Sequence, residues 1–241
     1  MENWAQKVER LLKQQIELYG DEEVLARQSL QELLNSSLKG ESSEDWRQSE
    51  NLFIMNDRIS SCLQCPLGYT RKSFVFGNGK GDADILVIGE APGEEEDRQG
   101  FVFVGRAGEL LDKILAAINL RRQDIYIANV LKCRPPQNRD PQPTEIAACL
   151  PYLHKQIELI NPAFILCLGR IAAQTVLQTT TSLEKLRGQA YPFMNASVIV
   201  TYHPAALLRF PQYKRATWED VKLLRKLYDE WLTQKSMNHG R

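Results

Sequence analysis

Residues 83–100 read ADILVIGEAPGEEEDRQG, and the fold turns on how this stretch is read. Its first half is a mostly apolar run of strand length, halted by Gly89, Pro92 and Gly93, as when a strand buried on both faces enters a turn. A glycine-flanked turn after a strand ordinarily receives phosphate, because exposed N–H groups and a following helix N-terminus attract anions. Glu90, Glu94, Glu95, Glu96 and Asp97 would repel one. The turn therefore holds a cation, performs proton or water chemistry, or shows most of its charge to solvent.

The same punctuation repeats downstream. Apolar runs at 124–130 (DIYIANV), 163–169 (AFILCLG) and 197–203 (SVIVTYH) alternate with helical patterns over 108–118, 143–160, 170–177 and 218–231. Strands this uniformly apolar, separated by helices, predict a parallel sheet covered on both faces. Ligands of open α/β sheets sit at the carboxyl ends of the strands. Those ends carry Glu90, Asn129, Gly169 and His203, which makes them the candidate site.

With 241 residues, 43% hydrophobic and 25% charged, the chain has apolar material for one α/β domain, or a domain plus an appendage, and is not disordered in the main. No apolar run approaches the roughly 18 residues of a membrane span, and MENWAQKVER at the start lacks the apolar core of a signal peptide. A cytoplasmic protein is expected. Lys plus Arg and Asp plus Glu both total 30, so no global basic field announces a nucleic acid, and any such contact must use local patches. Apolar residues at helical spacing from Trp4 to Leu34, followed by the linker-like SSLKGESSEDWRQSE at 36–50, set off residues 1–45 as a helical extension and linker. Its helices suit intramolecular packing or a protein partner. Residues 46–235 form the main domain and 236–241 a tail.

Five cysteines in a chain read as intracellular point to reduced thiols or metal ligation. Cys62 and Cys65 form C-x2-C among polar residues, and Cys133 and Cys149 bracket RPPQNRDPQPTEIAA. The four make a candidate thiolate site that would hold a proline-rich loop lacking regular structure until about Pro143. Zinc and a [4Fe–4S] cluster both accept four cysteines, and the spacing leaves the two open. Cys167, inside FILCLG, reads as a small core residue.

GEAPGEEEDRQGFVFVGRAGELLDKIL, NVLKCRPPQNRDP and TYHPAALLR, with the four cysteines in this order, resemble the family 4 uracil-DNA glycosylases, the iron–sulfur type. The resemblance spans about residues 57–231. It implies a three-layer α/β/α sandwich around a four-stranded parallel sheet, in agreement with the alternation above. It also implies a structural [4Fe–4S] cluster on Cys62, Cys65, Cys133 and Cys149, a monomer, and uracil-containing DNA as substrate.

Roles follow for the strand-end residues. Asn129 offers a carbonyl and an NH2 that pair with uracil N3–H and O4 and mismatch cytosine. His203 is placed to donate to uracil O2 as negative charge builds there. Phe103 matches the aromatic that stacks on the flipped base, a contact worth about 1–3 kcal/mol on nucleic-acid precedents. Glu90, with Ala91 beside it in the uracil-binding turn, matches the carboxylate near the sugar, and Glu96 a second acidic position that is either catalytic or loop-ordering. A lone Asn at a strand end is more often a turn residue; the motifs together reverse that. Glu94 and Glu95 read as solvated, and Asp97 has no assigned chemistry.

The segment from His203 to Arg209 resembles the loop that enters the minor groove in this superfamily. Leu207 and Leu208 would fill the gap left by the flipped base, or pack as a short helix, and Arg209 would meet phosphate. Arg134, Arg139 and Arg187, then Lys214 and Arg215, are further DNA-contact candidates. Val102 stands where many family members have proline. No histidine lies between His154 and His203, where a related self-trapping branch carries one, so covalent capture is not expected. The rival readings are a non-catalytic iron–sulfur DNA-binding or polymerase-associated module and a zinc-stabilised nucleotide-binding protein.

Overall fold

The computed structural model describes residues 45–239. The expectations for residues 1–44 and for 240–241 lie outside the described residues. Six strands, β1 Asn78–Gly79, β2 Ile85–Gly89, β3 Tyr126–Asn129, β4 Phe164–Leu168, β5 Ala190–Phe193 and β6 Ala196–Thr201, form one sheet in the order β1-β3-β2-β4-β6-β5. The inner four are parallel, as expected. β1 and β5 add antiparallel edges, so the sheet is mixed and six-stranded rather than four-stranded. β1 has two residues and β5 carries Pro192; both suit an edge, and neither shows the apolar run of a central strand.

The helices are α1 Leu52–Ile59, α2 Glu94–Gln99, α3 Arg106–Ala117, α4 Pro143–Ile160, α5 Arg170–Leu177, α6 Leu183–Leu186, α7 Pro204–Arg209 and α8 Tyr213–His239. Strand alternation divides the core. Leu86, Ile88, Ala128, Ile165, Cys167, Val198 and Val200 pack with Met55 of α1, Leu153 and Ile157 of α4 and Ala172 and Val176 of α5. Ile85, Val87, Ile127, Leu166 and Ile199 pack with Leu111 and Leu115 of α3 and Val221 and Leu224 of α8. The result is three layers, with Cys167 fully buried as a core residue. Each fully buried aliphatic side chain contributes about 1.5–3 kcal/mol, so the two faces drive the sandwich together. Among the described residues no helix is long and apolar enough to cross a membrane.

The acidic run is not a turn but helix α2, with Glu94, Glu95, Glu96 and Asp97 in its first turn. There the carboxylates meet the partial positive charge of unpaired N–H groups, and Gly100 ends the helix at φ 79°. The last helix begins five residues before the expected 218 and continues through His239; its exposed, charged face hides the period at both ends.

Candidate active site

The parallel order places the ends of β3, β2, β4 and β6 side by side, and register pairs Gly89 with Asn129. Asn129 is 2% exposed, and its Oδ1 has no hydrogen-bond partner. A buried orphan acceptor costs about 1–3 kcal/mol, and at the ligand-binding edge of an α/β sheet it marks a place for an incoming donor. A Cβ on Gly89 would stand 2.7 Å from Phe103 Cζ and closer still to Asn129 Oδ1. Only glycine admits both side chains.

Phe103 sits at φ 53°, uncommon for a residue with a bulky side chain. Two features hold it. Arg122 donates to the Val102 and Phe103 carbonyls at 2.9 and 2.6 Å and to Asp112 at 2.9 Å, and any Cβ on Gly108 would collide with the Phe103 carbonyl. Glu96 fixes the next residues: its Oε1 accepts from the Val104 and Gly105 N–H groups at 2.9 and 3.0 Å, and its Oε2 from Gly93 N–H at 3.1 Å. Both oxygens accept from backbone N–H groups and so tie residue 93 to residues 104 and 105. Asp97, 3% exposed, accepts from the Lys72 and Ser73 N–H groups at 2.9 and 3.2 Å and so anchors α2 from behind.

His203 caps α7. Its Nδ1 accepts from Ala205 N–H at 3.1 Å, so Nε2 carries the proton of the neutral ring. Burial pulls the imidazole down to about 4; Arg209 lowers it further and Glu96 opposes. The ring is 5.5 Å from that of Phe103, tilted by 30°. Gly169, at φ 90°, admits it, since a Cβ there would stand 3.1 Å from His203 Cβ.

Glu90 follows β2 and is half-buried, with Ala91 half-buried beside it. Burial pushes its carboxyl up to about 6, the Asp140 carboxylate adds to this, and Arg170 and Arg209 pull it back. Asp140 is held by Arg170 at 2.8 Å. Asp140 and Arg170 therefore belong to the surroundings of Glu90, and neither was a candidate from sequence.

α7 separates its two leucines. Leu207 is 1% exposed, while Leu208, at 41%, stands outward beside exposed Arg209. Lys214 and Arg215 are exposed at the start of α8. The other candidate arginines are each paired within the chain. Arg187 donates to Asp220 at 2.7 Å and lies over the Tyr202 ring, a partly buried ion pair. Arg139 grips Glu145 with two hydrogen bonds at the start of α4. Arg134 bonds Asn138 at 2.8 Å and lies 3.7 Å from Glu94.

The four cysteines collect in one core: Cys133 and Cys149 are buried, with Cys62 and Cys65 packed against the same cluster. Burial pushes the Cys133 thiol up to about 11 and Cys149 to about 12; Arg71 opposes the first and Lys132 the second. Donors are aimed at the sulfurs. Arg71 donates to Cys133 Sγ at 3.2 Å, Tyr152 O–H to Cys62 Sγ at 3.3 Å, Gln64 N–H to Cys62 Sγ at 3.4 Å and Lys132 N–H to Cys149 Sγ at 3.4 Å. A thiol is a weak acceptor, so this donor set fits thiolates. Among the described residues no group of three or more His, Cys, Asp or Glu is gathered as a single metal ion would need.

Lys132 was missed by sequence reading. It is 0% exposed, and its Nζ donates to Asn129 O at 2.7 Å and to Gln156 Oε1 at 2.5 Å. A lysine inside the apolar run NVLKC is the one signal that could have found it, because buried lysines need partners.

The sequence is similar to those of known proteins. The family model of the uracil DNA glycosylase superfamily matches residues 76–222. The type-4 uracil-DNA glycosylase of Archaeoglobus fulgidus is 45% identical over 74% of this chain and 94% of its own length. That of Thermotoga maritima is 42% identical over 73% and 94%, and that of Sulfurisphaera tokodaii 41% over 74% and 85%. With most of each relative covered and the strand-end residues assembled on one sheet edge, the chain belongs to the uracil DNA glycosylase superfamily and, within it, to the type-4 uracil-DNA glycosylases.

Proposed function

We propose that this chain excises uracil from DNA, hydrolysing the N-glycosidic bond to leave an abasic site. The observation that carries the reading is the orphaned, buried Asn129 Oδ1 beside Phe103. The uracil N3–H supplies the missing donor, and the Asn129 NH2 donates to O4; cytosine presents the opposite pattern at both positions. The nucleotide leaves the stack to reach this pocket, and its base stacks on Phe103. Cleavage of C1′–N1 sends the bonding electron pair to uracil N1, from which charge spreads to O2 and O4. The neutral His203 donates from Nε2–H to O2 as that charge grows, a contribution of about 2.7–4 kcal/mol on oxyanion-hole precedent. Water adds to C1′, directed by the ionised Glu90, and its proton leaves through that carboxylate. Glu96 acts through the backbone of residues 93, 104 and 105 and is a positioning residue. Leu208 fills the vacated stack, and Arg209, Lys214 and Arg215 meet phosphate.

The cysteines hold a [4Fe–4S] cluster in this reading. Four cysteines in one core, with N–H and O–H donors on the sulfurs, would suit thiolate ligands of such a cluster, and the likeness to the type-4 enzymes favours it over zinc. The cluster supplies structure, tying the segments of Cys62–Cys65 and Cys133–Cys149 together. Protein purified without oxygen should be brown, with broad absorption near roughly 400 nm and about four irons per chain; colourless zinc protein would overturn the assignment. Activity is tested by chromatography of the free base after incubation with a uracil-containing oligonucleotide. Free uracil and an alkali-labile strand are expected, and an intact strand at every salt concentration would refute the reading.

A further inference from the structure

Lys132 lies between two features that no expectation connected. On one side its ammonium holds the backbone carbonyl of Asn129, the residue whose side chain faces the base. On the other, its own N–H donates to Cys149 Sγ at 3.4 Å and the next residue in the chain is Cys133. Gln156 of α4 completes the cage, accepting from Nζ at 2.5 Å and donating to Phe76 O at 3.0 Å. Arg71 is the second cation at the cysteines, bonded to Cys133 Sγ and to Cys62 O at 2.6 Å, and it has no bond to the strand ends. Four thiolates around a doubly positive cubane leave about two negative charges. Lys132 and Arg71 are placed to balance them.

We propose that Lys132 is a positioning residue that couples the cysteine core to base recognition, its ammonium offsetting thiolate charge while its bond to the Asn129 carbonyl sets the reading carboxamide. This rests on the uracil reading of the pocket. A buried lysine is costly unless paired, so it stays where both partners need it. Without Lys132 that peptide would keep only the Val130 N–H bond to Gly89 O at 3.0 Å, and the carboxamide above Gly89 would be held from one side.

The test compares the cluster-loaded wild type with Lys132→Gln and Arg71→Gln, reading the reduction potential of the bound cluster and the affinity for free uracil. Removing either positive charge should move the potential to more negative values. Only Lys132→Gln should also weaken uracil, by about tenfold, with Arg71→Gln within about twofold. A Lys132→Gln protein with wild-type potential or wild-type uracil affinity overturns the proposal. Should that variant lose its iron, Gln156→Leu decides, since it removes the clamp on Nζ without touching a sulfur. Weakened uracil affinity supports the coupling, and unchanged affinity overturns it. Wild type that binds no uracil would instead refute the pocket reading itself.

Discussion

Gly89 and Asn129 face each other across β2 and β3, and the absence of a side chain on the first makes room for the carboxamide of the second. Phe103 uses the same gap. Gly89→Ala should therefore displace reader and stacking platform together. A misplacement of about 1 Å costs on the order of 100-fold in rate, and kcat/KM for uracil excision should fall by about that factor while circular dichroism stays native. Retained activity would mean that the close packing above Gly89 is not the base pocket.

If Glu90 directs the water as proposed, the acid limb of the pH profile should follow its titration. Its folded pKa is raised to about 6, so the carboxylate needed at the sugar is lost as pH falls through about 6. His203, at about 4, stays neutral over the same range and adds no limb near neutrality. Asp140→Asn removes a negative charge that raises Glu90 and frees Arg170, which lowers it. The limb should move to lower pH. A limb that stays or moves up would separate Glu90 from the profile.

Glu90 and Glu96 should part company in a comparison of Gln variants. In Glu96→Gln one carboxylate oxygen becomes an NH2, which must face a backbone N–H of Gly93, Val104 or Gly105. Loss of about 1–3 kcal/mol of stability is expected, with excision falling alongside. Glu90→Gln should lower single-turnover rate at unchanged melting temperature. Equal melting temperatures for the two variants would contradict the division.

The leucines of α7 make a second pair. Leu207 is buried and lines a small cavity with Leu110, Ile114 and Val221 of α3 and α8, so Leu207→Ala should cost about 2–5 kcal/mol on denaturant unfolding. Leu208→Ala should leave stability within about 0.5 kcal/mol and slow excision from duplex DNA while sparing single strands, where no stack needs filling. Equal loss on both substrates would remove its wedge role.

Residues 85–89, 126–129, 164–168 and 196–201 were legible as strands because each is apolar at nearly every position, and α4 and α5 were found to the residue. Local sequence could not give β5, α2 or the work of Asp97. β5 pairs through an edge and contains Pro192. In the acidic run, Asp97 looks like its neighbours, and only contacts with residues 72 and 73, 25 and 24 positions away, set it apart. The ion pair of Arg187 was equally out of reach: its partner Asp220 lies 33 residues on. The strand-end site was readable because the parallel topology itself gathers it; its supports Arg122, Lys132 and Asp140 depend on tertiary contacts that carry no periodic signal.

In the proposed mechanism Asn129 and His203 read uracil at the strand ends. The most direct measurement is single-turnover base release from oligonucleotides that differ only in carrying uracil or cytosine at one position, by wild type and by Asn129→Ala. Wild type should release uracil and leave cytosine, and Asn129→Ala should lose most of the uracil rate. Equal release of both bases by wild type, or full uracil release by Asn129→Ala, would contradict it.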